Sequence, residues 1–122
     1  MINLKLLLKS FGYAFEGLHY AWKGDQNLRI HFIAAVLIIL SAWYLEVTPS
    51  DTSMLVVMIV LVITAEMINT AIEKMTDLIT KEHRQEAKIA KDISSAMVLI
   101  ASFGAAIVGV LILVPYIALY FT

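Results

Sequence analysis

The sequence predicts an all-α membrane protein with an N-terminal amphipathic surface helix and three transmembrane helices. Three observations predict it. Apolar residues make up 61% of the 122 positions, more than a soluble domain of this size can bury. They gather into three runs, over about 30–47, 54–73 and 93–120, each long enough to cross a hydrocarbon core of ~30 Å. All nine Lys and Arg residues then fall on one side of a three-span arrangement, the side that the positive-inside rule assigns to the cytoplasm. One membrane-embedded domain over 1–122 is the organisation expected at this length.

Residues 2–22 have the period of an amphipathic helix. Leu4, Leu7, Leu8, Phe11, Phe15, Leu18 and Trp22 recur at three- and four-residue steps, with Lys5, Lys9 and Glu16 off that stripe. In so apolar a chain this predicts a helix lying in the membrane interface rather than over a soluble core. Gly24 and Asp25 break or bend it. The first span, 30–47, carries Trp43 and Tyr44 for an interfacial aromatic belt. Pro49 is expected to stop it, with Ser50 or Asp51 capping the next helix.

The second span is unbroken apolar sequence from Met54, but its last part is polar. Glu66, Asn69, Glu73 and Asp77 are spaced three, four and four apart, one narrow stripe on a helix. The helix is expected to run past the membrane to about Ile79. Residues 80–91 are strongly charged and belong in water. The third span, 93–120, holds Gly104 and Gly109 for close helix contact and Pro115 for a kink near its far end.

Orientation turns the stripe into a candidate site. Lys5, Lys9, Lys23, Arg29, Lys74, Lys81, Arg84, Lys88 and Lys91 share one face of the membrane, whereas the opposite loop carries only Glu46 and Asp51. The N-terminus, the charged loop and the stripe therefore face the cytoplasm. A polar stripe at membrane depth is costly and invites a functional explanation. Glu66 is a candidate general base, or a protonated group bonded to a neighbouring helix. Glu73 and Asp77 are either a solvated helix end or oxygen ligands for Mg²⁺, with Asp25 either a second ligand or a helix cap. Lys91 and Asp92 can neutralise a phosphate and orient a donor, or be a snorkelling Lys beside an N-cap. Arg29 and His31 open the first span.

Several classes are excluded. A net charge of −1 gives no case for nucleic acid, and the absence of cysteine removes disulfides, thiolate zinc sites and thiol catalysis. Residues 1–22 do not have the form of a signal peptide. No Gly-rich phosphate loop, nucleophile elbow or HExxH pattern is present, so a nucleotide would have to be held by helix ends and carboxylate-bound metal. Three spans and a surface helix enclose such a site poorly, which points to an oligomer with sites between subunits.

The stretch Glu66-Met67-Ile68-Asn69-Thr70-Ala71-Ile72-Glu73, with Asp77 and Ala90-Lys91-Asp92, resembles the signatures of the small prokaryotic integral-membrane diacylglycerol kinase and undecaprenol kinase family. The resemblance runs from about Phe11 into the last span. It implies a homotrimer in the cytoplasmic membrane, with active sites between subunits at the cytoplasmic boundary, ATP as co-substrate, Mg²⁺ as cofactor and a lipid alcohol as acceptor. Glu66 matches the base that takes the lipid hydroxyl proton, and Glu73 a Mg²⁺ ligand. Asp25 stands where the family usually has a Glu ligand, one methylene longer. Asn69, Lys91 and Asp92 match positions that hold ATP phosphates or reacting groups. Tyr13, Glu82, His83 and Arg84 match nucleotide contacts, and Asp77 is grouped with them. Leu6 replaces a basic contact of some members. Arg29 and Ser95 lie on the expected lipid side. The run Asp25-Gln26-Asn27-Leu28-Arg29-Ile30-His31 looks closer to the undecaprenol branch, with diacylglycerol the alternative. A small ion-coupled transporter and a non-catalytic membrane scaffold are the rival readings; the former needs Glu66 open to both faces, and residues 54–65 have only Thr64 to serve it.

Overall fold

The computed structural model describes residues Met1–Thr122 as four α-helices, α1 (Leu4–Gly24), α2 (Gln26–Tyr44), α3 (Pro49–Ile79) and α4 (Gln85–Tyr120), with no strand. The last three are long and apolar enough to cross a membrane. The first helix lies at 4–24 rather than 2–22, because Asn3 caps it: its Oδ1 accepts from the Lys5 and Leu6 N–H groups.

A single residue separates α1 from α2. Asp25 is extended (φ −115°, ψ 110°) and serves both helices. Its N–H donates to Ala21 O at 2.8 Å, closing α1. Its Oδ1 accepts from the Asn27 and Leu28 N–H groups at 2.9 and 3.3 Å, opening α2. Arg29 reaches back from α2, donating through Nη1 to the Trp22 and Lys23 carbonyls at 2.8 and 3.0 Å. A cation on the last carbonyls of a helix suits its negative end, so the angle between α1 and α2 is fixed from both sides.

The α2–α3 turn departs from the sequence expectation. The first apolar helix ends at Tyr44, not Val47. Val47 N–H donates to Ala42 O and Glu46 N–H to Trp43 O, at 3.0 and 3.3 Å, the two bonds of a Schellman ending. Glu46 holds the left-handed position at φ 52°, where glycine usually sits. Pro49 does not stop α2; it is the first residue of α3, where its missing N–H is harmless. The cap of α3 is Thr48, whose Oγ1 accepts from Asp51 N–H at 3.3 Å, rather than Ser50 or Asp51.

With 31 and 36 residues, α3 and α4 are ~46 and ~54 Å long, well beyond a ~30 Å core, whereas the 19 residues of α2 give ~28 Å. The two long helices therefore project together past the start of α2. The non-helical part of the charged connection shrinks to residues 80–84, and Asp92 sits inside α4 rather than capping it. Pro115 is also accommodated inside α4, which continues to Tyr120. Gly104 and Gly109 do not mark close helix contact within the chain. A Cβ on Gly104 would meet Met58 Cε at an ordinary 3.9 Å, and one on Gly109 would meet open space.

Helix α3 packs against both α2 and α4. The buried set mixes Leu28, Leu55, Val62 and Val98 with small residues Ala35, Ala42, Ala65 and Ser94, as expected where helices associate by close packing rather than by escape from water. Only 11 of 122 residues are buried, too few to hold a soluble domain together, and the remaining apolar surface suits lipid. Helix α1 meets the bundle only near its end, through buried Ala21, the Trp22 ring edge-on to Phe32 at 5.4 Å, and Tyr20 beneath Lys74 Nζ at 5.5 Å. Leu4, Leu7, Leu8, Phe11 and Phe15 stay exposed.

Candidate functional site

The α1–α2 junction presses against the polar part of α3. Glu66 lies 17 residues from Pro49, ~26 Å along α3 and so near the far boundary of a ~30 Å core. Its side chain is 1% exposed, yet neither carboxylate oxygen has a hydrogen-bond partner. His31 Nε2 on α2 stands 3.9 Å from Glu66 Oε2, and Asp25, Asn27 and Glu73 also face it. An unpartnered buried carboxylate is rare in native structures because desolvation is not repaid. Asp25 is drawn to the same place by Thr70, whose Oγ1 donates to Asp25 Oδ2 at 2.8 Å. Glu73, one helical step of seven residues past Glu66, is half-buried and forms no hydrogen bond or ion pair.

A polar chain leads from this cluster to α4. Ser94 Oγ is 2.6 Å from Asn69 Oδ1 and 3.0 Å from Lys91 O, with Ser94 and Asn69 both buried. One hydroxyl proton cannot serve two acceptors fully. If the Asn69 amide nitrogen faces Ser94 instead, Asn69 donates to Ser94 and Ser94 donates to Lys91 O, and both groups are satisfied. Lys91 Nζ donates to Asp77 Oδ1 at 2.6 Å.

Beyond the membrane boundary, a polar pocket of about 370 Å³ opens between the ends of α3 and α4. Its walls include Lys81, Arg84, Lys88 and Lys91, and also Asp77, Glu82 and Asp92. The acids pair the cations: Lys91 with Asp77, Lys88 with Asp92 at 2.6 Å, and Arg84 with Glu82 at 3.1 Å. Asp77 is ~42 Å along α3, outside the hydrocarbon core. The Lys91 ammonium, more than any other neighbour, holds its carboxyl below the ordinary carboxylate range. An anionic polyphosphate entering this pocket would meet donors now occupied by carboxylates and could exchange with them.

On the membrane side of Glu66 lies an apolar groove of about 570 Å³ between α2, α3 and α4. It runs from His31 past Ala35, Val62 and Ser102 toward Ile117. Ser102 Oγ is buried there without a partner. The cluster thus stands between a water-facing polar pocket and a lipid-depth groove.

The sequence-predicted residues divide accordingly. Asp25, Glu66, Asn69 and Glu73 gather at the α1–α2–α3 junction. Asp77, Glu82, His83, Arg84, Lys91 and Asp92 line the polar pocket. Tyr13 is exposed on α1, away from both. Ser95 is exposed, and its buried neighbour Ser94 makes the contact to Asn69. Arg29 is engaged with the end of α1. Thr70, Ser94 and the His31–Glu66 approach are the contributions that sequence reading missed. Lys91, Ser94 and Val98 repeat the three-and-four spacing of the Glu66 stripe, but Asp92, Ser95 and Leu99 do so equally, so spacing does not choose between the two serines.

Asp25 and Glu73 are the residues suited to a divalent cation. No group of three or more His, Cys, Asp or Glu side chains assembles for one. Two carboxylates leave room for phosphate oxygens and water, the mixed shell that Mg²⁺ favours. Asp25 retains lone pairs beyond its three hydrogen bonds, and Glu73 is unpaired, so the donor set fits.

Residues 12–113 match the family model described as prokaryotic diacylglycerol kinase. The chain is 38% identical over 110 residues to a Synechocystis diacylglycerol kinase, covering 89% of this chain and 63% of that relative, so it spans under two thirds of that protein's length. It is 34% identical over 107 residues to the Escherichia coli K12 diacylglycerol kinase, covering 88% of each. It is 30% identical over 113 residues to the Bacillus subtilis undecaprenol kinase, covering 93% and 92%. With four helices, three of them fit to cross a membrane, and with the family model spanning the whole polar cluster, the chain belongs to the prokaryotic diacylglycerol kinase family of membrane lipid kinases.

Proposed function

We propose that the protein transfers the γ-phosphoryl group of ATP to the hydroxyl of a membrane lipid alcohol, undecaprenol in the first instance, with Mg²⁺ as cofactor. The observation that carries this reading is Glu66: a carboxylate 1% exposed, unpartnered on both oxygens, set between a lipid-depth groove and a polar pocket. A general base must lie within reach of the proton it removes, and the groove ends at His31, whose Nε2 is 3.9 Å from Glu66 Oε2.

The lipid oxygen attacks the γ-phosphorus in line, forming a new O–P bond, while the bond to the β-phosphate oxygen breaks and its electron pair leaves with ADP. The hydroxyl proton passes to Glu66. Lys91, released from Asp77, neutralises phosphate charge; Asn69, held through Ser94, orients a phosphate or the acceptor. Glu82, His83, Arg84 and Asp92 surround the nucleotide, and Tyr13 would join them from another copy of the chain. Asp25 and Glu73 would hold Mg²⁺, which when bound neutralises the phosphates. Ser95, exposed on α4, and Arg29 are the residues this reading assigns to the lipid.

The working form is a homotrimer in the cytoplasmic membrane, with its sites and N-terminus toward the cytoplasm. The exposed apolar faces of α1 and α4 and the single-sided distribution of Lys and Arg support that arrangement. Diacylglycerol is the second reading, favoured by the higher identity to relatives named diacylglycerol kinases; the 25–31 pattern favours undecaprenol. Purified protein with Mg²⁺, γ-labelled ATP and either lipid tests the proposal. Label is expected in undecaprenyl phosphate at the higher turnover. Faster labelling of diacylglycerol would reverse the substrate order, and no labelled lipid from either would sink the kinase reading.

A further inference from the structure

The unpartnered state of Glu66 raises the question of what orients it. A carboxylate with two free oxygens in a dry site can turn, and a base that turns loses the geometry that proton transfer needs. Of the side chains facing it, Asp25 and Glu73 are acids and can only repel or share a proton. Asn27 and His31 are the possible donors.

Only His31 also lines the groove. Its Nε2 is 3.9 Å from Glu66 Oε2, about 1 Å beyond a hydrogen bond. It projects from the second turn of α2, which Asp25 and Arg29 fix in angle. Its side chain is 23% exposed, so packing does not enclose it on every side. The same imidazole forms the head of the apolar groove, where an acceptor hydroxyl would arrive. Asn27, by contrast, is exposed and forms no part of the groove.

We propose that His31 is a positioning residue for Glu66: Nε2–H donates to Oε2 when the groove fills, which pins the carboxylate and leaves Oε1 aimed at the lipid hydroxyl. The imidazole keeps its own proton throughout; the hydroxyl proton goes to Oε1. This rests on the reading of Glu66 as the base.

The test compares His31→Leu, His31→Gln, His31→Asn and Asn27→Ala in the full-length protein in lipid vesicles, with Glu66→Gln alongside. Gln places an amide N–H near the position of Nε2, whereas Asn places one near Nδ1. His31→Leu is expected to lower kcat ~10- to 100-fold, the effect of one hydrogen bond to a charged group, with KM for ATP unchanged. His31→Gln should recover most of kcat and His31→Asn should not. Asn27→Ala should be close to wild type. Equal kcat for the Gln and Asn variants would overturn the proposal even if the Leu variant fails to fold. So would a loss confined to KM for lipid, which is what a merely groove-lining residue gives, or a kcat loss that follows Asn27 instead. Normal turnover in Glu66→Gln would remove the base itself; a dead Glu66→Gln beside a normal His31→Leu would remove only the positioning role.

Discussion

At the Tyr116 end of the bundle the polar side chains have found one another; at the Glu66 end the most deeply buried one has found none. Tyr116 OH donates to Asp51 Oδ2 at 2.8 Å and accepts from Thr48 N–H at 3.2 Å, and the Tyr44 and Tyr120 hydroxyls meet at 2.5 Å. This tie fastens the far end of α4 to the α2–α3 turn. At the other end Glu66 and Glu73 stay free while Asp25, Thr70, Asn69 and Ser94 are bonded around them. Both ends carry carboxylates on the same helix, α3. Polarity is common to both ends; what differs is the unspent hydrogen-bonding capacity of a buried carboxylate held among satisfied neighbours.

Substitutions can break that contrast, beginning with Asp25. Asp25→Asn keeps a good helix cap but removes the negative charge that the proposed Mg²⁺ site relies on. It should leave thermal stability close to wild type and sharply raise the Mg²⁺ concentration needed for turnover. Asp25→Ala should do the same to Mg²⁺ and also lose about 1 kcal/mol with the cap. A Mg²⁺ titration of the Asn variant that overlays the wild type would make Asp25 a cap and nothing more. At the opposite end, Tyr116→Phe should cost about 1 kcal/mol of stability, the net worth of a hydrogen bond, with turnover unchanged. Lost turnover at unchanged stability would mean that this end takes part in the chemistry.

A smaller effect concerns Asp77. Its carboxyl is held below its ordinary range by Lys91, so the native state binds this proton less readily than the unfolded chain does. The resulting stabilisation is present above the unfolded carboxylate range and is lost as pH falls through the lowered native value. Both partners are largely exposed, so salt screens the pair. Asp77→Asn should lower the melting temperature slightly near neutral pH at low salt and converge on wild type in acid, which flattens the acid side of the profile. An unchanged acid slope would show that the pair makes no net contribution.

The helices themselves were legible in the sequence, because apolar runs and the 3.6-residue period depend only on local pattern. The α2–α3 turn was not. Val47 extends the apolar run past the true helix end, and a Schellman ending with Glu46 at the left-handed position has no glycine to announce it. Thr48 was missed as a cap because Pro49 reads as a stop when it is in fact a start. Within the site, the Glu66–Asp77 stripe was readable from spacing on α3. The partners from other helices were not: Thr70 to Asp25 spans 45 residues and Ser94 to Asn69 spans 25. Adjacent serines at 94 and 95 point ~100° apart on α4, and only packing against α3 decides which one is buried.

Glu66→Gln tests the central claim most directly. The change keeps shape and burial and removes the ability to accept the hydroxyl proton. Phosphoryl transfer to lipid should fall by ~10²- to 10⁴-fold, while ATP binding, measured on the same reconstituted protein, and the melting temperature stay near wild type. Turnover within a few-fold of wild type would contradict the account, since the proton of the lipid hydroxyl would then leave by a group other than Glu66.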